Sequence, residues 1–293
     1  MKIVFMILHY GDPAVTQRCV ESILELDIEG LGMDIVVVDN DPTSRYDEPG
    51  TKNVHVAALE ESCGFSHANN VGYAWVLEHC GPDVVIACNN DLVFCQKDFC
   101  RRLERILEKK DSPEIVGPDV MDTETLQHQN PLDTRGRTRK EVKRTIWLNR
   151  MGLRFLPILY PAVDAYLHCL EEPKDRSRAM SSEDKKAQDH VILCGACLIF
   201  GPKFLQKEVQ LFTPETQFYY EEYILAKRCE RMGFRMSYRP ELEVLHRSGT
   251  ATHARFQGRK KYLEQKLKRT ADACRVYLGV LEDAETSGRR TAD

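Results

Sequence analysis

Within its first 91 residues the chain alternates short apolar runs with helical stretches, and this pattern narrows the fold more than any other feature. Residues 2–8 (KIVFMIL) form an apolar β-type run, and Asp12-Pro13 opens an amphipathic helix carrying Val15, Cys19, Val20, Ile23 and Leu24 on one face. A run from Ile35 to Val38 ends at Asp39-Asn40; Val54 to Leu59 follows, then a helical stretch from about Ser66 to Glu78, then Val84 to Cys88. Apolar strands separated by helices predict an α/β fold with a largely parallel sheet. Ligands of such sheets sit beyond the carboxyl ends of the strands. Polar residues follow these strands at His9, Asp39 and Asn89 to Asp91, so several candidate ligands fall on one edge.

At 293 residues the chain fits one elaborated domain. Hydrophobic residues at 42% and charged residues at 29% exclude wholesale disorder and a polytopic membrane protein. A net charge of −4 offers no overall attraction to nucleic acid, and none is expected as a partner. His9, Tyr10, Gly11 and Asp12 interrupt the opening apolar run before a signal-peptide core forms, which predicts a cytoplasmic protein. Eleven cysteines scattered through the expected elements predict reduced thiols without structural disulfides.

Residues 122–190 break the alternation. A basic stretch (RGRTRKEVKR) leads into IWLNRMGLRFLPILYPAVDAYLHCL, and a charged run (EEPKDRSRAMSSEDKKAQDH) follows. Arg150, Arg154, Pro157, Pro161 and Asp164 make the middle run a poor spanning helix, so it reads as an inserted subdomain that covers a core or lies on a membrane surface. Regular structure resumes with Val191 to Phe200, a helix around Glu221 to Met232, a short strand near Arg235 to Tyr238 and a helical region from about Gln257 to Leu281.

CNNDLVF (88–94) delivers Asn89, Asn90 and Asp91 to the end of a strand. A carboxylate there can bind Mg²⁺ or Mn²⁺, hard cations that take further oxygens from water and a diphosphate; the alternative is an ordinary strand-end turn. Asp91 is the first candidate metal ligand. In FYYEEYILAKRCERMGF (218–234), Glu221 and Glu222 open an amphipathic helix, where carboxylates also favour the helix dipole. The preceding Phe218, Tyr219 and Tyr220 point to an enclosed site in which a glutamate can serve as general base toward a hydroxyl. PELEVLHRSGTAT (240–252) brings His246 to the end of an apolar run, as a structural residue or a second metal ligand. GFSHANNVG (64–72) is a Gly-bounded helix entry whose free N–H groups can meet an anion or a base edge, and it matches neither the phosphate-loop nor the dinucleotide fingerprint. Cys194-Gly-Ala-Cys197 lacks a companion pair at zinc spacing and reads as buried cysteines flanking a small-residue turn.

Taken in order, these stretches resemble family 2 glycosyltransferases of the GT-A fold, in particular the bacterial rhamnosyltransferase-like branch that builds surface polysaccharides, over about residues 2–250. ILHYGDPAVTQRCVESIL is similar to that family's strand, Asn-Tyr turn and helix, VVVDND to its Val-Asp-Asn-x-Ser element, and GFSHANNVGY to its Gly-Phe-x-x-x-Asn-Asn-x-Gly segment. CNNDLVF matches the position of the Asp-x-Asp metal motif, CGACLIF the Gly-Ala element ahead of the acceptor site, FYYEEYILAKR the Glu-Asp motif, and PELEVLHRSGTAT the strand ending in His. The resemblance implies a GT-A-type, Rossmann-like nucleotide-binding core with a mixed, mostly parallel sheet and an inserted helical, acceptor-side region. The implied domain covers 1–254, divided into a nucleotide-sugar half (1–121), an insertion (122–190) and an acceptor and catalytic half (191–254), with a basic helical extension at 255–293.

Carried over by position, His9, Tyr10, Asn89 and Asn90 would face the donor, Asp39 would contact its base, and Asn69 and Asn70 would shape the nucleotide pocket. Asp91 would bind metal and diphosphate, His246 would be a further metal ligand, and Glu222 would be the base, with Glu221 as second candidate. The chain departs from the family pattern at His9, where Asn is common, at Asn89, an acidic position, at Glu222, usually Asp, and at Ile224, a place often held by Asp. The implied activity is inverting, Mn²⁺- or Mg²⁺-dependent transfer from a dTDP- or UDP-sugar to a hydroxyl of a glycan or lipid-linked acceptor.

From Arg255 to Arg275 the chain carries eight Lys or Arg against Glu264 and Asp272. This is either a solvated helix face or, with the apolar run at 146–170, a surface for the anionic inner face of a membrane, which would make the protein peripheral there. Two rivals remain. A nucleotidyltransferase would need a Gly-rich loop where HYGDP stands, and a silent GT-A-fold protein would bind nucleotide without hydrolysing donor.

Overall fold

The computed structural model describes residues 1–47, 49–171, 185–216, 218–247 and 259–290. Its strands are β1 (Lys2–His9), β2 (Gly32–Asp39), β3 (Val54–Ala58), β4 (Val84–Asn89), β5 (Leu92–Val93), β6 (Ile115–Asp122), β7 (Gln188–Asp189), β8 (Cys197–Phe200) and β9 (Met236–His246). All belong to one sheet of order β3-β2-β1-β4-β8-β6-β9-β5, with β7 also pairing β9. The β1–β2, β1–β4, β2–β3 and β6–β9 ladders are parallel. The ladders made by β5, β7 and β8 are shorter and antiparallel. The fold is therefore α/β with a mixed, mostly parallel sheet, as expected.

Successive residues of the central strands point to opposite faces. Ile3, Phe5 and Ile7 join one core with α1 (Pro13–Leu24) and α3 (Phe99–Leu107). Val4, Met6 and Leu8 join another with α2 (Phe65–His79), α5 (Pro202–Leu205) and α6 (Glu221–Met232). Burial on both faces is why these strands read as unbroken apolar runs rather than alternating ones. Helix α2 lies so close to the sheet that a Cβ on Gly72 would fall 2.2 Å from Val38 Cγ2.

The strand readings are corrected at β6, β9 and β8. Strand β6 went unread because Pro118 sits inside it; the pairing with β9 shifts register between Pro118 and Asp119, the kind of irregularity that lets proline sit within a sheet. Strand β9 is a single run through His246, not a short strand ending at Tyr238, and β8 begins only at Cys197. The insertion and the C-terminal extension are separate in sequence but not in space. Helix α4 (Arg139–Glu171) packs antiparallel to α7 (Arg259–Arg290), with Val142 against Cys274 and Tyr277 and Leu156 against Leu263 and Leu267. Residues 129–133 meanwhile return to the sheet, where the Gln129 N–H donates to Val120 O at 2.8 Å.

Pro157 and Pro161 remove helical hydrogen bonds, and α4 kinks at Leu159 (φ −114°, ψ 32°). Among the described residues no helix is long and apolar enough to cross a membrane. Most of the charged run after residue 171, and the SGTAT stretch with Arg255, lie outside the described residues.

Candidate active site

Two antiparallel steps through β8 leave β6 and β9 running in the same direction as β1, β2 and β4. The carboxyl ends of these strands therefore meet at one edge, together with the Cys194–Ala196 approach to β8. From β1 the chain builds outward through β2 and β3, then returns to β4 on the other side, so the β1/β4 boundary is the topological switch point where α/β sheets bind ligands. Asn90 spans that boundary: its Nδ2 donates to Tyr10 O at 3.1 Å and to Thr16 Oγ1 at 2.9 Å.

The sheet itself brings Asp91 and His246 together. Leu92 of β5 pairs with His246 of β9, and the Arg247 N–H donates to Asp91 O at 3.0 Å. Both side chains are buried, with His246 Nε2 3.1 Å from Asp91 Oδ1. Gln129, which the sequence did not single out, orients the pair. Its Nε2 donates to Asp122 Oδ2 at 3.3 Å, which turns its Oε1 toward His246 Nδ1 at 2.7 Å. With Gln129 Oε1 facing Nδ1, the other ring nitrogen, Nε2, is the one turned to Asp91 Oδ1, at hydrogen-bond distance. A carboxylate and an imidazole with a hydrogen-bonded outer shell are groups that could ligate a divalent cation. Among the described residues no group of three or more His, Cys, Asp or Glu is placed to hold a metal ion.

Across the edge stand Glu221 and Glu222. Burial pushes the Glu221 carboxyl up to about 8, and the neighbouring Glu222 adds to the rise. Burial also raises Glu222, while the Gly195 N–H, donating to its Oε1 at 3.3 Å, favours the charged form. Both carboxyls are therefore held above the ordinary range, and Glu222 has the Gly195 amide as a donor to its charged form. A Cβ on Gly195 would sit 2.8 Å from Glu222 Oε1, so a larger residue there would displace the carboxylate. Tyr219 and Tyr220, at φ 75° and 64°, hold left-handed backbone that non-glycine residues seldom adopt, and they aim the start of α6 at the edge. Cys194 lies between the two halves. Burial pushes its thiol up to about 12, with the Glu222 and Asp91 charges adding, so it is no nucleophile at neutral pH.

Other expected donor contacts prove to be braces. His9 is fully buried, with Nε2 2.7 Å from Ser44 O and Nδ1 2.6 Å from Thr16 Oγ1, so it ties α1 to the loop after β2 instead of facing a ligand. Both ends of the Asn70 amide are taken by the Phe212 backbone, at 2.7 and 2.9 Å, and Asn69 Nδ2 donates to Phe65 O within its own helix. Asp39 accepts the Asp41 N–H at 3.1 Å and the Tyr46 N–H at 3.3 Å, and pairs with Arg45 at 3.3 Å. Asn89 ends β4 half-buried, its backbone N–H on Ala196 O. Ile224 is buried against α4 and α7 and belongs to their core.

No family model matches the chain, and no curated protein does. Solved structures that resemble it include a mannosyltransferase from Pyrobaculum calidifontis in complex with GDP-Man and Mn²⁺, at 13% identity and TM-score 0.48 over 98% of this chain and 75% of that one. GalNAc-T7 with UDP, GalNAc and Mn²⁺ follows at 12% identity and TM-score 0.48, over 84% of this chain and 44% of that one. S. aureus TarS 1–349 stands at 12% identity and TM-score 0.49, over 93% of this chain and 71% of that one. Likeness at this level assigns neither residue nor reaction.

Proposed function

We propose that this chain is a metal-dependent, GT-A-type glycosyltransferase that moves a sugar from a nucleoside-diphosphate donor to an acceptor hydroxyl. The carrying observation is the convergence at one sheet edge of two unlike acidic groups: Asp91 paired with His246, and the adjacent Glu221 and Glu222, the latter held by the Gly195 N–H. In this reading Asp91 and His246 hold the metal, whose chemistry is to offset the charge that gathers on the departing diphosphate. Glu222 takes the proton of the acceptor hydroxyl as that oxygen bonds to the anomeric carbon and the bond to diphosphate breaks, giving inversion. Gly195 fixes the Glu222 carboxylate, and Glu221 holds a proton nearby. Asp39, His9 and Asn90 shape the nucleotide side through the loops they brace. The dTDP- or UDP-linked nature of the donor, and the place of the reaction in surface polysaccharide synthesis, belong to the same proposal.

The test is a thermal-shift panel of UDP, dTDP and GDP sugars with and without Mn²⁺, run on the wild-type chain and on Asp91→Ala, since a ligand that binds the native state raises its stability. A rise that needs Mn²⁺, is confined to one nucleotide class and is lost in Asp91→Ala supports the reading. A rise that survives Asp91→Ala, or no rise with any donor, overturns it.

A further inference from the structure

Strand β3 stands at one margin of the sheet and, among the described residues, pairs only with β2. Its odd-numbered residues turn their backbone groups inward: Asn53 O accepts the Ile35 N–H at 2.8 Å, and the Leu59 N–H donates to Asp39 O at 2.9 Å. Backbone groups alternate in direction along a strand, so Val54, Val56 and Ala58 turn theirs away from the sheet. The Val54 N–H is taken up by its own turn, donating to Thr51 O at 2.9 Å. Val54 O and both backbone groups of Val56 and Ala58 are left facing outward, without an intrachain partner among the described residues. Edge strands that stay single tend to carry proline or a charged side chain, and the VHVAA of β3 has neither. Beside this edge, on the α2 face, His55 packs against Trp75 with ring centroids 5.8 Å apart, and Val71, one helical turn before Trp75, is exposed.

We propose that the occupant of this edge is a second copy of the chain, its β3 laid antiparallel across a two-fold axis at Val56. In that register the strand is complementary to itself. Val56 lies opposite the partner's Val56, each N–H donating to the other's O, and the Ala58 N–H meets the partner's Val54 O, so each outward donor finds an acceptor. The same register sets Lys52 opposite the partner's Glu60 and Glu60 opposite the partner's Lys52, unlike charges at facing positions. Both side chains are exposed, and neither forms an ion pair within the chain among the described residues. The smallest slip that keeps outward groups facing one another moves Lys52 opposite Ala58 or Ser62 and loses the match. A copy of this strand thus supplies both charges in reverse order, which singles it out from an arbitrary strand. Because the paired strands run antiparallel, the carboxyl edges of the two sheets point in opposite directions, and the two candidate active sites face away from each other. The proposal is independent of the transferase reading.

Sedimentation equilibrium of the full chain at low ionic strength tests it. The wild-type chain is expected to reach twice the chain mass and to stop there, because a two-fold β3 pairing uses up the free edge. Lys52→Glu and Glu60→Lys, both at exposed positions, set like charges opposite one another at each end of the strand pair. Each alone should raise the dimer dissociation constant about tenfold or more. An equimolar mixture of these two variants should dimerise as the wild type does, since each supplies the charge that the other lacks. Raised salt should shrink the difference between single variants and wild type, because exposed charges are screened. Ala58→Pro removes an outward N–H and puts a ring in the partner's path without breaking a bond to β2, so it should leave the chain monomeric with its circular dichroism unchanged. A monomeric wild-type chain, a dimer that both charge variants leave intact, or a mixture that associates no better than its components would overturn the proposal. So would a dimer that persists in correctly folded Ala58→Pro, by placing the contact elsewhere; should that variant misfold, the charge variants and their mixture still decide.

Discussion

The loop after β2 and the first turn of α6 both bury carboxylates at the same sheet edge, yet they treat them in opposite ways. Asp41 loses hydration on burial, but Thr43 donates to it from both backbone and hydroxyl and the Gly11 N–H donates as well, so its carboxyl stays below the usual range. Glu221 and Glu222 have few compensating donors and repel one another, and both are raised. A saturated buried carboxylate stabilises a loop and does nothing else. An undersaturated one keeps a basic oxygen that can accept a proton from a substrate, at some loss of stability.

The contrast is broken or sharpened most strongly by Glu222→Gln. Turnover should fall by about 10² to 10⁴-fold, the usual contribution of a general base, while the donor-induced thermal shift and the folding stability are retained. Turnover within a few-fold of wild type would hand the role to Glu221. Asp41→Ala should behave conversely. Urea unfolding should show a loss of about 1–3 kcal/mol, because the Thr43 and Gly11 donors lose their acceptor. Its folded carboxyl is depressed, so that contribution is present above the unfolded carboxylate range and fades as pH falls through the folded value. Undiminished stability in Asp41→Ala would remove the distinction between the two regions.

Glu221→Gln carries the opposite pH sign. The folded carboxyl is raised from 4.5 to about 8, so its relative stability is full below about 4.5 and is lost as pH rises through about 8. Glutamine does not titrate, and the variant should gain on wild type between pH 5 and pH 9. A difference in urea midpoint that stays constant across that range would show that Glu221 is not held protonated by its surroundings.

Most of the parallel half was legible in the sequence because its information is local. An apolar run buried on both faces, followed by a polar residue, marks a strand and its ligand-bearing end in one glance, and Asp91, Asp39 and the start of α6 all stand where such reading puts them. What escaped depends on partners distant in the chain. Nothing around Gln129 signals that it will orient His246, and Gly195 looks like a small-residue turn until Glu222 is laid against it. The α4–α7 pairing joins two segments that each seem amphipathic and unattached. Strand β6 was hidden by a local rule, since proline argues against a central strand and only the compensating register shift reconciles them. His9 and Asn70 were read as ligand contacts because a polar residue at a strand or helix end signals position and not the direction in which it hydrogen-bonds.

The route by which His246 reaches Asp91 also bears on how the protein is made. The two residues lie 155 positions apart, and β9, the last strand in sequence, is not at the sheet's margin but between β6 and β5. Strands β1 to β4 and helix α2 are synthesised long before that strand exists, and β1 pairs with both β2 and β4. Asp91 then waits, beside a gap, for a strand that must thread into place. The Asp91–His246 contact forms only when β9 is in place, so a chain that stops short of β9 lacks it however well β1 to β4 have paired.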